Sequence, residues 1–363
     1  MNNVRCLCLS LSLLFLLGNA QADCALNANE LTQTSRVFAT HDGSSYQLLR
    51  KGLVPNNARV YSICHAADII LSTCTANSFN PPLATAGCSQ SVSPVVEAIA
   101  DSSCSYTMYR VGYNVENVAF LEIYRSCYDR ANVKALFTIY MAHTSTSDVD
   151  RQIHFTTDRI ISGAAASSFL NPKIYERYNR LLTSAQTYFT KGANMYDRGH
   201  LTPSLDFAFK ESRGQTNKYI NLIPQFSTIN RGNWKTIENW VRRQLSEGHF
   251  DVLKVCTGVF GVLELSAGNV EMFLLDNPNR NPVPKWIYKI VSHISGAHFV
   301  FLTYNNAHAT TRPMGQVVSS VCREVPCQNL GLSVRNEGTA GYTFCCDPYD
   351  FIARNLPHLT GVC

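Results

Sequence analysis

Apolar and polar positions alternate between two regimes along this chain. Up to about residue 130 the apolar runs are short and rich in aromatic and β-branched residues. Segments 106–113 and 119–124 have this strand-like composition. Beyond it the runs lengthen and helical spacing enters. Segment 136–142 reads as a buried strand, and the polar stretch 144–165 as a loop. Segment 172–190 places Tyr175, Tyr178, Leu181 and Leu182 on one side of a helix. A strand is expected over 218–223, then a helix from about 229 to 247 with Trp234, Ile237, Val241 and Leu245 as its apolar stripe. Gly248 is a natural stop for that helix. Further strands are predicted at 253–260, 270–275, 286–291 and 299–304. Segment 276–284, with three Asn and three Pro, is a turn-rich loop. Strands with helices inserted between them predict an α+β fold with mixed or antiparallel sheets.

Composition adds a compartment. One basic residue, Arg5, precedes the apolar run 9–17, and Ala20-Gln21-Ala22 closes it, so 1–22 reads as a secretory signal peptide. The run is too short to span a bilayer comfortably, and no later stretch reaches that length. A soluble, secreted mature chain is therefore expected. Of 14 cysteines, Cys6 and Cys8 fall in the signal, and the remaining twelve suggest up to six disulfides. Adjacent Cys345 and Cys346 are expected to take different partners. Zinc-type Cys-x-x-Cys pairs with a matching second pair are absent. The net charge of +5 permits a polyanionic partner without predicting one. Half of the mature cysteines lie in 23–130, which is expected to be a small disulfide-rich β module. Residues 131–363 then form a second domain with a cysteine-bearing tail.

The chemistry concentrates between Tyr196 and Glu238. Asp197-Arg198-Gly199-His200 sets an acid, a guanidinium and an imidazole within four residues, with a glycine that permits a tight backbone path. Asn230, Trp234 and Glu238 recur every four residues, as along one helical face. An imidazole can deprotonate water, an arginine can neutralise phosphate, and an oxygen-rich face can hold a hydrated magnesium ion. This inventory suits hydrolysis of a phosphodiester.

The Asp-Arg-Gly-His run, followed by Asn221, Pro224-Gln225, Asn230, Trp234 and Glu238 in that order, resembles the signature of the DNA/RNA non-specific endonucleases. That family includes bacterial extracellular nucleases and endonuclease G. With the secretion signal and the cysteines, the likeness is strongest to secreted arthropod nucleases. The matching region runs roughly from 135 to 303. The resemblance implies a ββα-metal core and a secreted endonuclease acting on DNA, RNA or both without marked sequence specificity. His200 is then the general base, and Arg198 and Arg151 are phosphate clamps, with Arg159 the competitor to Arg151. Asn230 holds the ion, magnesium or alternatively manganese or another divalent cation, and Glu238 holds a water of its shell. Asp197, Asn221 and Gln225 are supporting residues. The alternative is a secreted nucleic-acid-binding protein on an inactive nuclease scaffold, which would be expected to lack at least one member of this set.

Overall fold

The structure is a computed structural model that describes residues 22–27, 31, 34–144, 154–265 and 269–363. The N-terminal part holds two small sheets. Strands β1 (Cys24–Ala25) and β4 (Leu53–Val54) pair. Strands β2 (Val37–His41), β3 (Tyr46–Leu48), β5 (Arg59–His65), β6 (Asp68–Thr75) and β7 (Ser78–Asn80) form a five-stranded sheet in the order β3-β2-β5-β6-β7. Cys24–Cys74 and Cys64–Cys88 staple this part internally.

A nine-stranded sheet carries the rest. Its strands in chain order are β8 (Pro94–Ile99), β9 (Thr107–Val115), β10 (Ala119–Asp129), β11 (Lys134–His143), β14 (Val252–Val262), β15 (Pro284–Ser292), β16 (His298–Tyr304), β17 (Glu324–Val325) and β18 (Thr343–Cys346). The spatial order is β17-β18-β16-β15-β14-β11-β10-β9-β8, antiparallel throughout. Strand β10 pairs with β11 from Arg125↔Ile139 to Asp129↔Lys134. The boundary expected at residue 130 thus falls inside a continuous sheet. Local composition marks 106–113 and 119–124 as strands but carries no record of their distant partners.

Both faces of this sheet are covered, which is why its strands read as near-unbroken apolar runs. Along β15, Ile287 and Val291 enter one core while Trp286, Tyr288 and Ile290 enter the other. The second face is closed by the tail, with Phe351 of the helix α3 (Pro348–Asn355) fully buried. The first face receives a hairpin and a helix. Strands β12 (Tyr196–His200) and β13 (Leu222–Phe226) pair antiparallel. Helical segments Ser227–Ile229 and Asn230–Trp234 then lead into α2 (Lys235–Ser246). Helix α2 buries Ile237, Trp240, Val241 and Leu245, and Gly248 (φ +74°) ends the stretch as expected. The helix predicted over 172–190 is shorter: α1 (Asn171–Leu182) stops at Thr183, which has a φ of +49°.

The fold is α+β, dominated by antiparallel sheet and held by six disulfides. Cys345 and Cys346 do take different partners, Cys327 and Cys322. Among the described residues, no helix is long and apolar enough to cross a membrane.

Candidate active site

Strand β12, strand β13 and the helix that follows form a ββα unit, and one side of it is an open cleft of about 710 Å³. Asp197, Arg198, His200, Asn230, Arg231 and Phe155 all line it. Arg198 and His200 are two apart on β12 and so share a face of the strand. Gly199 between them is required by packing. A Cβ there would stand 2.4 Å from Oε1 of Gln225, the side chain that crosses beneath it. Gln225 is fully buried, and neither polar atom of its amide has a hydrogen-bond partner.

The cleft's polar groups are fixed by short bonds. The Nε2 of His200 lies 3.0 Å from Oδ1 of Asn217. A carbonyl oxygen only accepts, so Nε2 donates, and in the neutral ring Nδ1 keeps the lone pair. The Arg198 guanidinium stacks over Phe155, its Cζ 4.1 Å from the ring centroid. Asp197 gathers three donors. Asn230 Nδ2 reaches Oδ2 at 2.9 Å, Ser227 Oγ reaches Oδ1 at 3.0 Å, and Arg231 forks onto both oxygens at 3.0 and 3.2 Å. Burial alone would raise the Asp197 carboxyl. The hydrogen bonds from Asn230, Arg231 and Ser227 outweigh it and hold the group below the usual carboxylate range. With its nitrogen committed to Asp197, Asn230 has Oδ1 left to offer the cleft. Asn221 is fully buried and clamps the strand ends: it accepts from Thr202 N at 2.8 Å and donates to Thr202 O and Thr216 O.

These donors fit a hard, hydrated cation better than a zinc-type centre. Asn230 supplies a neutral oxygen, and magnesium needs few protein ligands because it keeps several waters. Among the described residues, no group of three His, Cys, Asp or Glu side chains converges on one point.

The model of the DNA/RNA non-specific endonuclease family matches residues 104–351. The chain belongs to that family. The match is wider than the 135–303 read from the motifs, and it takes in β9 and β10. Relatives agree with it. A salivary endonuclease of Lutzomyia longipalpis is 29% identical over 294 residues, covering 79% of this chain and 70% of its own. A salivary endonuclease of Culex quinquefasciatus is 26% identical over 318 residues, covering 82% and 78%. The crystal structure of the EndoG/EndoGI complex aligns at 20% identity over 61% of this chain and 86% of that chain, with a TM-score of 0.39.

Within this nuclease fold, His200, Arg198, Asn230 and Asp197 meet as the motif order suggested. Arg151 lies outside the described residues. Arg159, its competitor, is exposed and does not line the cleft. Glu238 does not line it either. The backbone of Gly232 is non-helical (φ −94°, ψ −125°), which breaks the four-residue phase between Asn230 and Glu238. Glu238 instead belongs to a charged group under α2. Burial pushes its carboxyl up to about 7, against the pull of Lys289 and Arg242 and with Asp206 pushing further. Sequence reasoning missed Arg231 and Asn217. Arg231 is a cation beside the proposed metal ligand, a signal that was available. Asn217 reaches His200 across 17 residues, and no local pattern announces that.

Proposed function

We propose that the protein is a secreted, metal-dependent endonuclease that hydrolyses phosphodiester bonds of DNA, RNA or both with little regard for base sequence. The observation that carries this reading is the cleft itself, where His200, Arg198 and the Asp197-bound Asn230 stand together. His200 Nδ1 takes a proton from the water that attacks phosphorus, while the Nε2 bond to Asn217 holds the ring in that tautomer. Arg198 donates to the phosphate oxygens. Asn230 holds a divalent ion, magnesium by preference, which when bound supplies positive charge to the phosphate and the departing oxygen. Asp197 positions Asn230 and pairs with Arg231. Among the described residues that line the cleft, the cations Arg198 and Arg231 are suited to phosphate, and phosphate contacts carry no direct sequence information. The leader-like 1–22, the six disulfides and the salivary endonucleases among the relatives support an extracellular place of action.

The test is the full chain and its His200→Ala variant on plasmid DNA and on RNA, with magnesium or with chelator. Cleavage of at least one substrate should require magnesium. The variant should lose about 10²–10⁴-fold in turnover, as for a positioned base, and still bind. Equal cleavage by wild type and variant would remove His200 from the chemistry. Loss of circular dichroism on chelation would make the ion structural instead.

A further inference from the structure

The N-terminal module comprises the two small sheets and their disulfides, Cys24 to Cys88. Among the described residues, no part of it lines the cleft, and the family match begins beyond it, at residue 104. Its disulfides stay within it as well. Its contact with the nuclease part is nonetheless specific. Ala208 and Phe209, 3% and 8% exposed, complete the module's own apolar core beside Leu49 and Val60. The Phe209 ring stacks on Phe38 of β2, centroids 5.9 Å apart.

Phe209 is the midpoint of an excursion that begins and ends at His200. The chain leaves β12 after His200, with Leu201 N bonded to Asn221 O at 3.0 Å. It enters the module at Phe209, whose carbonyl accepts from Arg213 N at 3.0 Å in the short helix Lys210–Gln215. Arg213 Nε also reaches back to Phe207 O at 2.7 Å. The chain returns at Asn217, whose Oδ1 meets His200 Nε2. A second tie fixes the module to the central sheet: Arg50 donates to Met141 O at 2.9 Å and to Glu122 O.

We infer that the N-terminal module is a brace for His200, acting through Phe209 on the segment that ends in Asn217. Phe209 is a positioning residue, and the inference rests on the reading of His200 as the base. Small displacements of a reacting group are costly, on the order of 10²-fold for about 1 Å.

The test uses the full chain with Phe209→Ala, Phe209→Leu, His200→Ala and the His200→Ala/Phe209→Ala pair. The readouts are kcat and KM on plasmid DNA and thermal unfolding. Phe209→Ala should lose roughly 10- to 100-fold in kcat with KM within about twofold, and Phe209→Leu should recover most of it. On the His200→Ala background the second change should cost nothing more, because its route to catalysis is already gone. Full kcat in Phe209→Ala beside an inactive His200→Ala overturns the brace alone, as does a loss that persists undiminished in the double variant. A fully active His200→Ala overturns the base assignment and the brace with it. Should Phe209→Ala fail to fold, Phe38→Leu probes the same contact from the module's side, and unchanged kcat there overturns the brace equally.

Discussion

Two groups of charged side chains flank the helical stretch after β13, and the fold treats them oppositely. On the cleft side, Arg231 keeps its side chain 66% exposed while it pairs with Asp197. Arg198 and His200 stand partly open beside it. Under α2, Asp206 and Lys289 are fully buried. There Asp206 takes Arg242 Nη1 at 2.8 Å and Tyr140 Oη at 2.6 Å, and Lys289 Nζ reaches Thr257 Oγ1 at 2.7 Å. Buried charges must satisfy one another, because removing one partner leaves the other uncompensated. Charges at a wet cleft hold only part of their capacity in internal bonds and can meet a phosphate with the rest. The same residue types thus hold the helix in place on one side and address the substrate on the other.

Asn230→Ala strikes the cleft side hardest. Activity should fall by at least about 10²-fold, the scale of one lost electrostatic contact to a transition state, while the melting temperature barely moves. A drop in melting temperature as large as the drop in rate would mean that Asn230 is structural.

Lys289→Met strikes the buried side, and its effect should appear in stability. Lys289 and Glu238 attract one another without a direct bond. Breaking a directly bonded buried pair typically costs roughly 3–5 kcal/mol, and about 2 kcal/mol is expected here near pH 7.5, because Glu238 can take up a proton instead. The sign with pH follows from the two shifts. The raised Glu238 carboxyl contributes stability below its unfolded pKa, and that is lost as pH rises through about 7. The lowered Lys289 ammonium, at about 8 through burial, costs stability as pH falls through that value. The cost of the Lys289 charge is present at both pH 7.5 and pH 5, so the difference between them comes from Glu238. Without Lys289 its carboxyl is harder to ionise, and the variant's deficit is larger at pH 7.5 than at pH 5, where that carboxyl is protonated with or without Lys289. Urea titrations at the two pH values check this, and a deficit that grows toward acid contradicts the coupling of Lys289 to Glu238.

Arg198→Ala should have the mildest signature in binding. On duplex DNA the log–log salt slope of catalytically dead protein should flatten by roughly 0.9, one phosphate contact. An unchanged slope would leave Arg198 to its stack on Phe155 alone.

The ββα unit was legible because its residues are close in sequence and carry chemistry. The order Asp197, Arg198, His200, Asn221, Asn230 survives in space. Helix existence was legible too, but not its phase. One glycine, Gly232, sets Asn230 and Glu238 apart, and a spacing argument assumes ideal turns throughout. Strand 218–223 was displaced for a similar reason. Tyr219–Asn221 forms a 3₁₀ turn, and pairing with β12 begins only at Leu222. Non-local partners were out of reach. Sequence shows that 106–113 and 119–124 are strand-like, not that the second belongs to a strand bordering Lys134–His143. Asn217 likewise gives no local hint of its bond to His200.

The adjacent cysteines of β18 have a consequence for how the chain acquires its covalent pattern. Cys345 packs in the core on one face of the central sheet and Cys346 in the core on the other, as neighbours on a pleated strand must. Their bonds to Cys327 and Cys322 are nested, one inside the other. Exchanging the two partners would require β18 to present its opposite faces, and that would undo the register Phe301↔Cys345 and Val300↔Cys346 with β16. Once β18 has docked, the pleat acts as a proofreader for oxidative maturation. A tail with the two partners exchanged would not fit this register.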